Sequence, residues 1–451
     1  MTTQSTPPVV TPADSWHFPE AAEHQLSNGI RVLTYHCPGQ YVIAASLLFD
    51  VPLEVEQRDK EGVAAMTARC LTQGAAGRSA EEFADALALC GADLGASASF
   101  DGFAVHLSTP VPHLSNALRL MADAVESPAF DQQEFDHERQ LRLQEIEQLS
   151  AYPEHIAGRQ LNAAVFGKSR SARPAGGSTE TVEAIEHDDV VTFADDHLQP
   201  ATATMIVAGD FGTVDPLAQV ARAFERWRHW GRAARTRKPV DASDSPQVVL
   251  VDWPDSPQST LRVAGRAVTR DDERWQPMFV ANHAVGGSFS SRINTVLREE
   301  KGVTYGASSS LETSRRSGVL SVATAVRADA TAKAVADIVE ILTAATGTLT
   351  DDEVATAVRA ATESAALGFE RAEAVVSRVE MLLAQGLPPD YVDYNLARLR
   401  EVTTEAANTA YADVVRADQL TVVVVGEADE LRESLAGWGY ATVREVSPEQ
   451  R

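Results

Sequence analysis

The chain has 451 residues, 44% of them hydrophobic, enough for two or more domains with cores of their own. A formal net charge of −25 disfavours nucleic acid and anionic membranes, which attract the opposite sign. Cys37, Cys70 and Cys90 form no CxxC pair, there is no basic-then-apolar leader, and no apolar run reaches membrane-spanning length; a soluble cytoplasmic protein without a disulfide framework is expected.

In chain order, residues 1–25 open Thr- and Pro-rich and read as a flexible N-terminal segment. Strands follow at Gly29–Tyr35 and Tyr41–Phe49, helices near 60–73 and 79–91, a strand at Phe100–Ser108, a helix at 113–126, a longer helical run, and an apolar strand closing on Gly209. From residue 247 the series repeats. Strands at Gln247–Asp252 and Ser259–Gly265 precede helices near 274–285 and 290–301, a strand at Ser317–Thr324, a helix at 331–346, and a strand closing on Gly426. Gly209 and Gly426 are 217 residues apart, and Gly102 and Gly318 are 216 apart, so two features share one register; an internal duplication is the simplest account. The polar, Pro-interrupted stretch 231–246 reads as a linker between domains at 26–230 and 247–451. Each domain is expected to be an α+β sandwich, helices on a mostly antiparallel sheet, and the pair to enclose a cleft.

The second half contains Gly286-Gly-Ser-Phe-Ser-Ser-Arg292 and Leu297-Arg-Glu-Glu-Lys-Gly-Val-Thr-Tyr305, and the first half contains Lys60-Glu-Gly-Val-Ala64 and Val207-Ala-Gly-Asp210. In these stretches, and from about Leu26 to Glu427, the chain resembles the insulinase–pitrilysin family of zinc peptidases, the inverzincins. The resemblance implies a duplicated metallopeptidase-like fold forming half of a clamshell. In that family a helix of the first domain carries His-x-x-Glu-His, two zinc-binding histidines flanking the glutamate that activates water. Here the matching positions are Ala65, Ala68 and Arg69, a degenerate motif. Alanine has no donor lone pair, and a guanidinium is permanently charged and does not coordinate a cation. Glu145 falls where the third ligand is expected; alone it holds no zinc, and the plainer reading is a solvated or Arg-paired carboxylate. The eleven histidines include no i, i+3 or i, i+4 pair, and His137-Glu138 is followed by Leu141 where a second histidine would stand.

The family's other device is present. Arg298 should lie near a helix end that Gly302 lets stop, and Tyr305 should open the next extended segment. The resemblance implies that this pair holds a substrate backbone and hydrogen-bonds at the scissile carbonyl. Taken singly, Arg298 is an ordinary helix-end charge and Tyr305 a half-buried packing residue. Gly286-Gly287 reads as a backbone requirement for close approach, and the Arg/Glu-rich helix 134–148 as a surface helix with its own ion pairs.

Some members of the family work as two unlike subunits, one with the zinc motif and one with only the arginine–tyrosine pair. The resemblance therefore implies a non-zinc-binding subunit with no cofactor of its own. Its partner would be a homologous zinc-bearing subunit carrying His-x-x-Glu-His, and its substrate a peptide. A non-catalytic scaffold and a stand-alone peptide-binding homologue remain alternatives. The Ala- and Arg-rich composition suits a GC-rich bacterium, and nothing in the residues selects a substrate.

Overall fold

The computed structural model describes residues 16–228, 240 and 245–446. The linker expected at 231–246 and the first 15 residues lie almost wholly outside them. The first sheet contains β1 (Ala21–Gln25), β2 (Arg31–His36), β3 (Val42–Phe49), β4 (Asp93–Ala98), β5 (Phe103–Pro110) and β6 (Ala203–Gly209), in the order β1-β2-β6-β3-β5-β4. The second contains β7 (Gln247–Asp252), β8 (Gln258–Ala267), β9 (Ala307–Thr313), β10 (Gly318–Arg327), β11 (Thr421–Gly426) and β12 (Val443–Val446), in the order β12-β7-β11-β8-β10-β9.

The expected α+β pair of sandwiches is what the chain forms, and the inner five strands of the two sheets match one for one. In each, the first strand pairs parallel with the closing strand (β2 with β6, β7 with β11), and the other three pairings are antiparallel. Gly209 and Gly426 end the two closing strands, the places that the 217-residue spacing predicts. Burial follows composition. Thr421–Gly426 is buried at every position, as a valine run flanked by strands and covered on both faces requires, whereas Phe103–Pro110 alternates along its second half. The sheets differ at one edge, where β1 pairs antiparallel with β2 but β12 pairs parallel with β7.

Residues 16–25 correct the expectation of a flexible segment through residue 25. Phe18 is buried, Trp16 stacks on Phe369 with ring centroids 5.5 Å apart, and Ala21–Gln25 pairs with β2. The strand Ala-Ala-Glu-His-Gln is almost wholly exposed, so it carries no hydrophobic alternation; backbone pairing alone makes it a strand.

Sequence order does not reveal that the halves exchange helices. Pro153–Phe166, from the first half, lays Ile156, Ala157, Leu161, Ala164 and Val165 on the second sheet against Val249, Val251, Val423 and Val425. Ala372–Ala384, from the second half, packs on β3 and β6 of the first sheet. Its Glu380 accepts hydrogen bonds from Ser46 Oγ at 2.6 Å and His106 Nε2 at 2.9 Å, and this contact raises the His106 pKa above the usual imidazole value. Among the described residues no helix is long and apolar enough to cross a membrane.

Candidate functional site

The helix Val63–Cys70 carries Ala65, Ala68 and Arg69, the positions expected to match the zinc motif. Glu56, with its side chain fully buried, receives the backbone N–H groups of Gly62 and Ala64 at 3.0 and 3.1 Å and so satisfies two donors at the helix start. Arg170 neutralises it through two hydrogen bonds of 2.9 and 2.8 Å; burial nevertheless keeps its pKa above the usual carboxylate value. Ala68 is buried and Ala65 half-buried, so neither leaves a polar group at its position.

Arg69 is the residue that changes the chemistry. Its Nε donates to Glu138 at 2.8 Å and its Nη1 contacts Glu145 at 3.0 Å. Gln73 donates to the other Glu138 oxygen at 3.1 Å, and Arg142 reaches Glu145 at 3.3 Å. Both carboxylates project from the helix Gln132–Leu149, two turns apart. The fixed cation thus bridges Glu145, the carboxylate expected at a third-ligand position, and Glu138, whose only sequence signal is the incomplete His137-Glu138 motif. This also corrects the reading of 134–148 as simply a surface helix: Phe135 and Glu138 are buried, and one face is pinned to the helix Val63–Cys70. Among the described residues no group of three His, Cys, Asp or Glu is placed to hold a metal ion.

The Arg298–Tyr305 segment is built from tight backbone contacts. The helix Trp275–Asn282 runs into the π-helical turn His283–Gly287, and Arg292–Asn294 into a second, Thr295–Glu300. A Cβ at Gly286 would lie 2.5 Å from Ser309 Cβ, so glycine alone lets this turn meet β9; close approach is the role expected of the pair. Asn282 donates to the Ser309 carbonyl at 3.1 Å. Asn294 donates to the carbonyls of Ser288 and Ala307 at 3.0 and 2.9 Å and accepts from the Ala307 N–H at 2.8 Å. One asparagine therefore fixes both the turn bearing Phe289 and the strand entry bearing Tyr305. Arg292 grips Glu353 through two bonds of 2.6 and 2.7 Å, and this bidentate contact holds the Glu353 pKa down at about 2. Buried Asp337 accepts from Lys301 and Lys333; burial opposes its ionisation, but the two ammonium groups prevail and lower its pKa.

Arg298 lies in the second π-helical turn, and the chain leaves it at Gly302 with φ of +60°, as expected of a helix stop. Its guanidinium carbon sits 3.3 Å from the centre of the Phe289 ring, and Nη2 donates to Glu299 at 2.8 Å. Nη1 is buried with no hydrogen-bond partner among the described residues. Tyr305 precedes β9 by two residues and is 93% exposed, and Phe289 is 77% exposed. No hydrogen bond joins Arg298 to Tyr305. The half-buried packing role open to a tyrosine here is not the one it takes. Phe289 was missed from the sequence, although an aromatic inside Gly-Gly-Ser-Phe-Ser-Ser, a run of turn formers, was a signal of an exposed ring. Chemically the segment offers a phenol, a guanidinium and an aromatic face beside the edge strand β9, all suited to a polypeptide backbone and none to activating water.

Comparison with known proteins agrees with this architecture. The profile of insulinase (peptidase family M16) matches residues 31–178, and that of the peptidase M16 inactive domain matches residues 184–361. An uncharacterized zinc protease of Mycobacterium tuberculosis is 27% identical over 394 residues, covering 85% of this chain and 88% of the relative. One from Streptomyces coelicolor is 25% identical over 429 residues, 88% of each chain. Among solved structures, a peptidase M16 inactive domain from Pseudomonas fluorescens superposes with a TM-score of 0.82 at 21% identity, over 90% of this chain and 98% of that one. A protease from Helicobacter pylori does so with a TM-score of 0.83 at 18% identity, over 91% and 100%. With an M16 profile on each half, the chain belongs to peptidase family M16, the insulinase family.

Proposed function

We propose that this chain is the non-zinc-binding subunit of a heterodimeric zinc metallopeptidase. A homologous partner carrying His-x-x-Glu-His supplies zinc, water and general base, and this chain supplies Arg298 and Tyr305. The observation that carries the reading is the 93% exposure of Tyr305 beside an edge strand, in a chain whose own zinc-motif helix presents two alanines and an ion-paired arginine. An exposed phenol contributes little to the stability of the free chain but is free to donate to a carbonyl whose oxygen gains charge. A substrate peptide adds to a sheet edge by backbone pairing.

The test is peptide cleavage by this chain alone, by a zinc-bearing homologue alone, and by their mixture. Activity confined to the mixture is expected. Tyr305→Phe should lower kcat by about 100-fold, the scale of losing one oxyanion donor, with assembly intact. Equal turnover by the homologue alone would leave this chain a scaffold or an unrelated peptide binder and end the proposal.

A further inference from the structure

We infer that a cavity in the second half of the chain binds an apolar carboxylic acid through Arg270 and Arg378. The cavity, of about 300 Å³, lies between the helices Trp275–Asn282, Ala372–Ala384 and Tyr391–Arg400 and the turn Ala365–Phe369. Its walls are Trp275, Phe279, Phe369, Leu382, Leu396 and other apolar side chains, with the two arginines among them. None of its lining residues is an aspartate or glutamate, although the chain has 64 acidic residues against 39 basic ones. Chance alone would more readily have lined it with the opposite sign.

The two cations lack compensation. Arg270 donates to Thr313 Oγ1 at 3.2 Å and lies over Trp275 with its guanidinium carbon 4.6 Å from the ring centre. Arg378 lies over Phe369 at 5.5 Å. Among the described residues neither forms an ion pair, whereas Arg170, Arg173 and Arg292 each hold a glutamate. Burial, and then the positive charge of Arg378, bring the Arg270 pKa down to about 10, so Arg270 stays charged at neutral pH; burial also lowers the Arg378 pKa from the usual guanidinium value. Tyr391, which faces Arg270, is buried, and its hydroxyl donates to the Arg270 carbonyl at 2.6 Å; burial raises its pKa to about 12 and it remains neutral. Asn395, the amide in the lining, accepts a hydrogen bond from buried Gln276 at 3.2 Å. Two like charges in an aromatic, half-enclosed cavity disfavour the empty state, and an anion between them relieves desolvation and repulsion together. A single carboxylate matches two guanidinium groups, and the apolar wall calls for a hydrocarbon or aromatic body. A free acid and the C-terminus of a peptide share this chemistry.

Isothermal titration of the full chain separates them. The probes are octanoate, methyl octanoate, acetyl-leucyl-leucine and its C-terminal amide. Octanoate should bind one to one and the methyl ester at least tenfold more weakly. Acetyl-leucyl-leucine binding while its amide does not would identify peptide C-termini as the source; octanoate binding alone would identify free acids. Arg270→Gln and Arg378→Gln should each weaken the acid by about 10- to 100-fold, the worth of a charge-assisted contact. Methyl octanoate binding as tightly as octanoate, unchanged affinity in both variants, or no binding of either acid at millimolar concentration would overturn the assignment. The acid-against-ester comparison uses the unsubstituted chain and holds even if a variant does not fold.

Discussion

Removing the guanidinium of Arg69 isolates what it contributes between the helices Val63–Cys70 and Gln132–Leu149. Arg69→Met keeps most of the aliphatic stem and deletes the charge. Glu138, whose side chain is 11% exposed, then keeps only the Gln73 bond at 3.1 Å, while Glu145, 43% exposed, keeps Arg142 and water. Orphaning the more buried carboxylate should cost about 2–3 kcal/mol, and losing the exposed contact about 0.3–1 kcal/mol. A total of about 2–4 kcal/mol is expected in urea denaturation. Glu138→Gln makes the carboxylate neutral, so the double variant should recover much of the loss, with a coupling energy of about 1.5–3 kcal/mol from the four-member cycle. A cost below about 0.5 kcal/mol, or strictly additive single variants, would refute the view that Arg69 acts as a fixed counter-charge between these helices.

Restoring the family motif tests the same geometry from the other side. Ala65→His, Ala68→Glu and Arg69→His together place two imidazoles one turn apart within reach of the Glu145 helix, and the purified triple variant should bind one zinc by elemental analysis; no retained zinc would mean that the two helices do not stand as a ligand set requires. The Arg292–Glu353 pair predicts acid sensitivity. Because the folded pKa of Glu353 is lowered from 4.5 to about 2, its stabilisation is present above pH 4.5 and fades as pH falls toward 2. Solvent screening of the pair leaves this on the order of 1–2 kcal/mol. The stability gap between the unsubstituted chain and Glu353→Gln should be flat above pH 5 and close near pH 2, and a gap independent of pH would contradict the assignment. Ile156→Ala removes a fully buried side chain that the first half packs on the second sheet, at a cost of about 2–4 kcal/mol. Circular dichroism should show a single unfolding transition shifted to lower denaturant, and resolution into two separate transitions would show that the exchanged helices do not couple the halves.

The sequence was most legible where one local rule decides the outcome. Valine runs ending in glycine placed β6 and β11, and their common spacing pointed to a duplicated series of elements, which the matching inner order of the two sheets bears out. Strands β4 and β9 were not read, because Asp-Leu-Gly-Ala-Ser-Ala and Ala-Ser-Ser-Ser-Leu-Glu-Thr are small and polar, and their strand character comes from pairing with β5 and β10. The helix exchange was hidden for a different reason. Periodicity shows that Pro153–Phe166 has an apolar face, but not which sheet that face will meet. At the site, what was legible at Ala65, Ala68 and Arg69 was a property of residue type alone: none of the three side chains can ligate a metal ion, whatever the fold. The Glu138–Arg69–Glu145 arrangement needed coordinates. Its only trace in sequence was two acids seven residues apart on one helix, facing an arginine 69 positions earlier than the nearer acid.

The surroundings of Arg69 and of Arg298 obey opposite rules. At Arg69 the charges are closed on one another, guanidinium against the carboxylates of Glu138 and Glu145. Around Arg298 the accounting is left open: Nη1 is buried without a hydrogen-bond partner among the described residues, Phe289 has one face on the guanidinium and most of its surface exposed, and the Tyr305 side chain is 93% exposed. A buried donor left unpaired costs about 1–3 kcal/mol, so such a group marks either strain or a partner that arrives from elsewhere. If it were strain alone, Arg298→Met should stabilise the isolated chain and leave cleavage by the mixed subunits unchanged. Under the proposed division of labour the same substitution is neutral or stabilising in isolation but lowers turnover in the mixture by at least tenfold. Measuring both quantities on one variant decides between the two.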